Sequence, residues 1–164
     1  MFDLLPFLRI CMAEPIGGPI VIQGVSRVPD SVNTYRLSIG IFGVEGKVSD
    51  VTVHWVEGAE LIRLTTMFEL GVFTEELLPL ALVLVNQCNQ VDERFSCLSI
   101  YESEHETRGV NTVALAAPHA LLTNKKQRET LQRLFQITLH RVVAETVSDC
   151  TGMNIALSQA VTKS

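Results

Sequence analysis

Charge is what this sequence has least of. Only 19% of its 164 residues are Asp, Glu, Lys or Arg, 6% are aromatic, and Trp55 is the single tryptophan. The formal net charge is -5 and the pI is near 5.3, which argues against nucleic acid, because phosphate binding needs clustered Lys and Arg. The densest basic run, "NKKQRETLQR", is interleaved with Glu129 and reads as a solvated helix face. No apolar run is long enough for a bilayer. The longest, Leu77 to Val85, has nine residues, whereas a spanning helix needs about 20. The N-terminus "MFDLLPFLRICMAEP" lacks a basic leader region, carries Asp3 and Pro6 early and offers no small-residue cleavage site. A soluble, unexported, cytoplasmic chain with no membrane partner is therefore expected. The four cysteines, Cys11, Cys88, Cys97 and Cys150, are far apart and form no CxxC pair, so reduced, buried thiols are expected rather than a disulfide frame or a zinc site. "GGP" lacks the Lys-Ser/Thr of a phosphate loop.

What is present in quantity is apolar: 47% of the chain. A domain of this length buries roughly two-thirds of its unfolded surface, and 164 residues suit a single domain, with 150–164 a possible tail. Because monomers rarely expose large apolar patches, so little charge beside so much apolar surface points to a face covered by a partner, such as a second copy.

The hydrophobic period changes along the chain. "FDLLPFLRICM" suits a short helix with Pro6 in its first turn. After "EPIGGP" the pattern turns to strands. Tyr35, Leu37, Ile39 and Ile41 alternate with Arg36, Ser38 and Gly40; Val51, Val53 and Trp55 oppose Thr52, His54 and Val56; "LIRLTTMFEL" returns. The connections "GVEGK" and "EGAE" are too short for parallel crossovers, so an antiparallel meander is expected. Thr74 is a candidate N-cap for the apolar helix, with Glu75 and Glu76 at the positive end of its dipole; the alternative is a helix that begins at Pro79. Leu78, Leu82 and Val85 form one stripe and Leu77, Ala81, Leu84 and Cys88 the next, which suits a helix covered on more than one side. "ERFSCLSIYES" and "VNTVALAAP" read as two strands around the charged loop "ESEHETRG". A final helix opens near Asn124, whose relation to Gln127 resembles a capping box. Its core stripe is Leu131, Leu134, Phe135, Leu139, Val142, Val143 and Val147, and "SDCTG" is expected to end it.

The predicted fold class is α+β: an antiparallel sheet of about five strands with helices packed on it, in the order helix, three to four strands, helix, two strands, helix. That order resembles the type III secretion chaperone-like fold and its YbjN-like relatives over roughly residues 19–149. "LVNQCNQ" is similar to the Leu-Asn-x-x-Asn helix ending of YbjN-like proteins, with Asn86 and Asn89 at the asparagines. Val85 and Cys88 stand where leucine is commoner, and "TGMNIALSQAVTKS" has no counterpart. The resemblance implies a cytoplasmic homodimer that binds an extended segment of a client protein, without catalysis and without a cofactor.

On that basis the partner-binding or dimer interface is expected at Leu82, Val85, Asn86, Asn89, Leu98 and Ile100. No catalytic and no metal residue is assigned. The alternative is a small-molecule-binding or hydrolytic domain that uses Cys97 and His119 on neighbouring hairpin strands, against which Cys97 reads as a buried structural thiol. Glu102, Glu104, His105 and Glu106 crowd one loop but lack metal-ligand spacing and read as a solvated tip. His54 reads as a strand-surface residue and His140 as facing solvent or a partner.

Overall fold

The computed structural model describes residues 3–43, 45, 49–71, 73–103 and 106–162. The elements are α1 (Leu5–Ala13), β1 (Ile20–Arg27), β2 (Thr34–Ile41), β3 (Ser49–Val56), β4 (Leu61–Glu69), α2 (Leu78–Asn89), β5 (Cys97–Glu102), β6 (Thr107–Ala116), α3 (His119–Thr123) and α4 (Lys125–Val161). The strands form one antiparallel sheet of order β1-β2-β3-β4-β6-β5. The fold is α+β, as expected, with six strands rather than about five and with α3 inserted before the last helix. Residues Thr107–Gly109, read in sequence as loop, already belong to β6. Val44, Gly46 and Lys47 of the turn "GVEGK", and Glu104 and His105 of the acidic loop, lie outside the described residues.

Two compact units divide the chain: Met1–Thr65 with Val113–Arg141, and Thr66–Thr112 with Val142–Ser164. In the first, alternation sets the inward face. Tyr35 lies opposite Val53 and Leu37 opposite Val51, and these four, with Ile39 and Trp55, are almost wholly buried. Phe7, Leu8 and Cys11 of α1 and Leu131, Phe135 and Leu139 of α4 are buried in the same unit, and the Phe7 and Phe135 rings meet edge to face at 5.5 Å. Each fully buried side chain of this size contributes about 1.5–3 kcal/mol. His54 stands on the other face, its Nδ1 2.8 Å from the Thr34 hydroxyl. Burial holds the Cys11 thiol protonated, its pKa pushed up to about 12.

The end of α1 is closed by a side chain from α4. Gln136, 3% exposed, donates through Nε2 to the carbonyls of Cys11 (2.8 Å) and Glu14 (2.9 Å) and accepts the Ile16 N–H (2.8 Å). Helix ends leave carbonyls unpaired, so this buried glutamine serves as a C-cap supplied from a distant position. Asn124 supplies the expected N-cap of α4, its Oδ1 accepting from the N–H groups of Lys126 (3.1 Å) and Gln127 (3.3 Å).

In the second unit Phe68, Leu70, Ala81, Leu98, Met153 and Leu157 form the core. Gly109 of β6 makes room for the Phe68 ring: a Cβ there would stand 2.1 Å from it. The expected end of the last helix at "SDCTG" is corrected. Gly152 lies within α4, which continues to Val161. A helix-interior glycine costs about 1 kcal/mol relative to alanine, less than the burial of Met153 and Leu157 returns. The stripe is corrected as well. Leu134 and Val147 are about half exposed, whereas Gln132, Gln136, Thr146 and Asp149 are buried.

The start of α1 is tied down by Asp3, whose carboxylate accepts from the Leu5 N–H (3.0 Å), the Tyr35 hydroxyl (2.9 Å) and the Arg27 guanidinium (2.6 Å). The Leu5 bond foremost, with the Tyr35 and Arg27 contacts, holds its pKa below the usual 3.8 against a smaller opposing effect of burial. A carboxyl lowered on folding stabilises the fold above its unfolded pKa and loses that contribution as pH falls through its folded one. The expected result is a lower thermal midpoint for Asp3→Asn at pH 6 that converges with the wild type as pH drops below the carboxylate range. A difference that persists undiminished in acid contradicts this role.

Candidate functional site

The second unit holds the helix and hairpin that the sequence marks for function. Thr74 has extended backbone and makes no side-chain cap; a 3-10 turn follows at Glu75–Leu77, and α2 begins at Leu78 with Pro79 in its first turn. Of the two starts open in the sequence, the proline start is the one adopted, because a first-turn residue has no intrahelical N–H bond to lose. Ala81 is fully buried, and Leu77, Leu80, Leu84, Val85 and Cys88 pack against the core. Leu82 and Val83 are each 52% exposed, and Asn86 and Gln87 are exposed beside them. Among the described residues the outer side of α2 is uncovered, contrary to the expectation of a helix enclosed on several sides.

The C-terminal end of α2 is joined to β5 by one side chain. Asn89 donates from Nδ2 to the Leu98 carbonyl (2.8 Å) and accepts the Leu98 N–H at Oδ1 (2.8 Å). A carboxamide presents a donor and an acceptor side by side, so Asn89 takes the place of a neighbouring strand's peptide group at this one position. Leu98 is 1% exposed.

The loop that leads into β5 is held by a buried ion pair. Arg94 donates to both carboxylate oxygens of Asp149 (3.0 and 2.6 Å), to Asn111 Oδ1 (2.6 Å) and, through Nε, to the Ser96 carbonyl (2.8 Å). Asn111 turns its amide to Asp149 (2.7 Å) and to the Thr146 hydroxyl (3.2 Å), and that hydroxyl also meets Thr66. Glu145 receives the N–H groups of Phe95 (2.7 Å) and Ser96 (2.8 Å) and the Ser96 hydroxyl. The side chains of Arg94 and Asp149 are 9% and 6% exposed. Hydrogen bonding to Asp149 raises the Arg94 pKa further above its usual value, and burial, with the Asp149 charge second, raises that of the Cys88 thiol.

The six expected interface residues therefore separate. Leu82 and Asn86 face outward; Val85 and Ile100 are partly buried against the core; Asn89 is engaged by the β5 backbone; and Leu98 is a core residue. The reading of Leu98 as part of a spare apolar side is thus corrected: β5 turns Leu98 and Ile100 toward α2, and it is Cys97, Ser99 and Tyr101 that are exposed. Cys97, expected to be buried, is corrected for the same reason of pleat. His119 is not on the hairpin but opens α3, in the first unit. A hollow of about 420 Å³ beside Cys97 is lined by Asn89, Gln90, Val91, Asp92, Arg94 and Ser96, with no histidine to activate the thiol. Among the described residues no group of His, Cys, Asp and Glu is placed to hold a metal ion, and no helix is long and apolar enough to cross a membrane.

Arg94, Asn111, Glu145 and Asp149 are the residues that the sequence pattern left unread. One signal was available: Asp149 falls in the stripe Val142, Thr146, Asp149, Met153, and a carboxylate on a buried stripe calls for a cation. Which cation answers is a matter of tertiary fold. No protein-family model matches this chain, and no curated protein matches it.

Removing one partner of a buried pair leaves the other charge uncompensated, at a cost of about 3–5 kcal/mol. Arg94→Met is expected to lose that much in urea unfolding, and the double variant Arg94→Met/Asp149→Leu to regain part of it; a single variant within about 1 kcal/mol of wild type contradicts the buried pair. Alkylation of the folded chain is expected to modify Cys97 first and Cys11 last. Early labelling of Cys11 contradicts the placement of both.

Proposed function

We propose that this protein is a non-catalytic adaptor or chaperone, a cytoplasmic homodimer that holds a segment of a client protein, in the manner of the type III secretion chaperones and YbjN-like proteins that its element order resembles. The observation that supports this reading best is the state of α2. Its inner residues complete the core, yet Leu82 and Val83 remain half exposed on its other side. Apolar pairs left outside a complete core are a common feature of protein contact surfaces. The polar groups of the unit point the same way. Arg94, Asp149 and Asn111 bond to one another, Glu145 holds the N–H groups of Phe95 and Ser96, and no histidine lines the hollow beside Cys97.

In this reading the two copies meet through the outward side of α2 around Leu82, and the client is held elsewhere on the unit. The wild-type chain is expected to sediment as two copies. Leu82→Glu, at a position exposed in the single chain, is expected to sediment as one copy with an unchanged thermal midpoint. A wild type of one-copy mass, or a Leu82→Glu dimer as tight as wild type, contradicts this arrangement.

A further inference from the structure

β5 lies at one edge of the sheet, and its ladder with β6 determines which backbone groups look outward. Cys97 lies opposite Thr112, Ser99 opposite Val110 and Tyr101 opposite Arg108, and beyond the strand Ser103 donates its N–H to the Glu106 carbonyl (2.9 Å). The odd-numbered residues are therefore the hydrogen-bonded pairs. In an antiparallel ladder the intervening residues turn N–H and C=O away from the partner, and here these are Leu98, Ile100 and Glu102. Asn89 occupies both groups of Leu98. Among the described residues nothing occupies those of Ile100 or Glu102.

At the Glu102 end of this open stretch is a hollow of about 570 Å³ lined by Glu69, Glu75, Glu102 and Glu106 over Leu70 and Phe73. Arg108 neutralises Glu106 at 2.6 Å. No cation among the described residues is paired with the other three carboxylates. Open edges are normally blunted by charge, bulge or cover. This one is closed by a side chain at Leu98 and, among the described residues, left open over the next two outward positions, where the surface is acidic.

We infer that β5 at Ile100–Glu102 takes up an extended, basic segment of a partner polypeptide as a further strand, with a lysine or arginine of that segment in the carboxylate hollow. The inference rests on the client-holding reading above and gives the mode and chemistry of the contact. Main-chain bonds to an exposed edge supply affinity, and the pockets for alternate side chains supply selection. The Asn89 bond limits the register by closing the edge at Leu98. A second copy of this chain is a poor occupant, because pairing two β5 edges brings two sets of like-charged carboxylates together, and nucleic acid is excluded by the same sign of charge.

The probe is a capped, fluorescently labelled octapeptide that alternates valine with threonine and ends in two lysines, compared with one that ends in two glutamates. Measured by anisotropy on the full chain, the lysine peptide is expected to bind at least about tenfold more tightly and to weaken with added salt. Glu102→Pro removes one outward N–H and one carboxylate without touching the ladder to β6, and is expected to weaken the lysine peptide at least about tenfold. Glu75→Lys, outside the strand, keeps the test valid where the proline disturbs folding, and is expected to abolish the lysine preference. Amide shifts on titration are expected at Ile100–Ser103. Equal binding of the two peptides, no binding, or shifts confined to other strands overturns the proposal. A native client that binds the Glu102→Pro/Glu75→Lys chain as well as wild type also overturns it, while leaving the client-holding reading intact. Lysine-peptide binding at this edge in a chain that carries no native client sustains the edge and removes the wider reading.

Discussion

The second unit depends on one buried ion pair. Arg94 and Asp149 lie nearly out of contact with water, a situation whose desolvation cost is offset only when geometry is good and every remaining donor is met. Here the guanidinium is bidentate on Asp149, and its other bonds reach Asn111 and the Ser96 carbonyl. The loop of residues 91–96 has little apolar content to hold it in place. Arg94, together with Glu145 gripping the N–H groups of Phe95 and Ser96, sets where β5 begins. From that starting point the pleat turns Leu98 into the core, Cys97 outward, and the Leu98 peptide groups toward Asn89.

Polar side chains of α4 have structural roles in both units. In the first, Gln136 closes α1 by bonding to carbonyls that the helix cannot pair internally. In the second, Thr146 and Asp149 meet Asn111, and Asn154 takes the Glu69 carbonyl (3.1 Å) and the Gly71 N–H (2.8 Å). Where the partner is buried, as for Gln136 and Asp149, loss of the side chain leaves it unsatisfied, at about 1–3 kcal/mol per group. This is why the residue types that suggest chemistry in the sequence are committed to architecture in the fold. Outward among the described residues of the second unit are, with other surface groups, an apolar helix side, one strand edge and a cluster of carboxylates.

The sheet was legible because its signal is local. Alternation over Tyr35–Ile41 and Val51–Trp55 places each side chain on a face without knowledge of the partner strand, and the short connections excluded parallel pairing. Asn124 was legible as a cap for the same reason. The last helix was legible in its position but not in its inward face: Leu134 and Val147 look like core by hydropathy, yet the face that points inward carries Gln132, Gln136, Thr146 and Asp149. Period alone cannot distinguish a solvated glutamine from one whose acceptors come from a helix more than a hundred residues away. Candidate site residues fared likewise. Asn89 was singled out from its spacing with Asn86, and the structure gives it a specific bond, but to the chain's own β5. Leu98 and Cys97 were exchanged between faces because the strand "ERFSCLSIYES" is apolar on both sides, so the pattern contains no information about which side faces α2.

Neighbouring outward positions on β5 contrast: one is closed by Asn89, and the next two are open among the described residues. Native-state hydrogen exchange of the full chain, resolved by residue, measures that contrast directly. Slow exchange is expected for the Leu98 amide, which is bonded to Asn89 Oδ1, and fast exchange for the amides of Ile100 and Glu102. Equal protection along all three, or a fast Leu98, contradicts it.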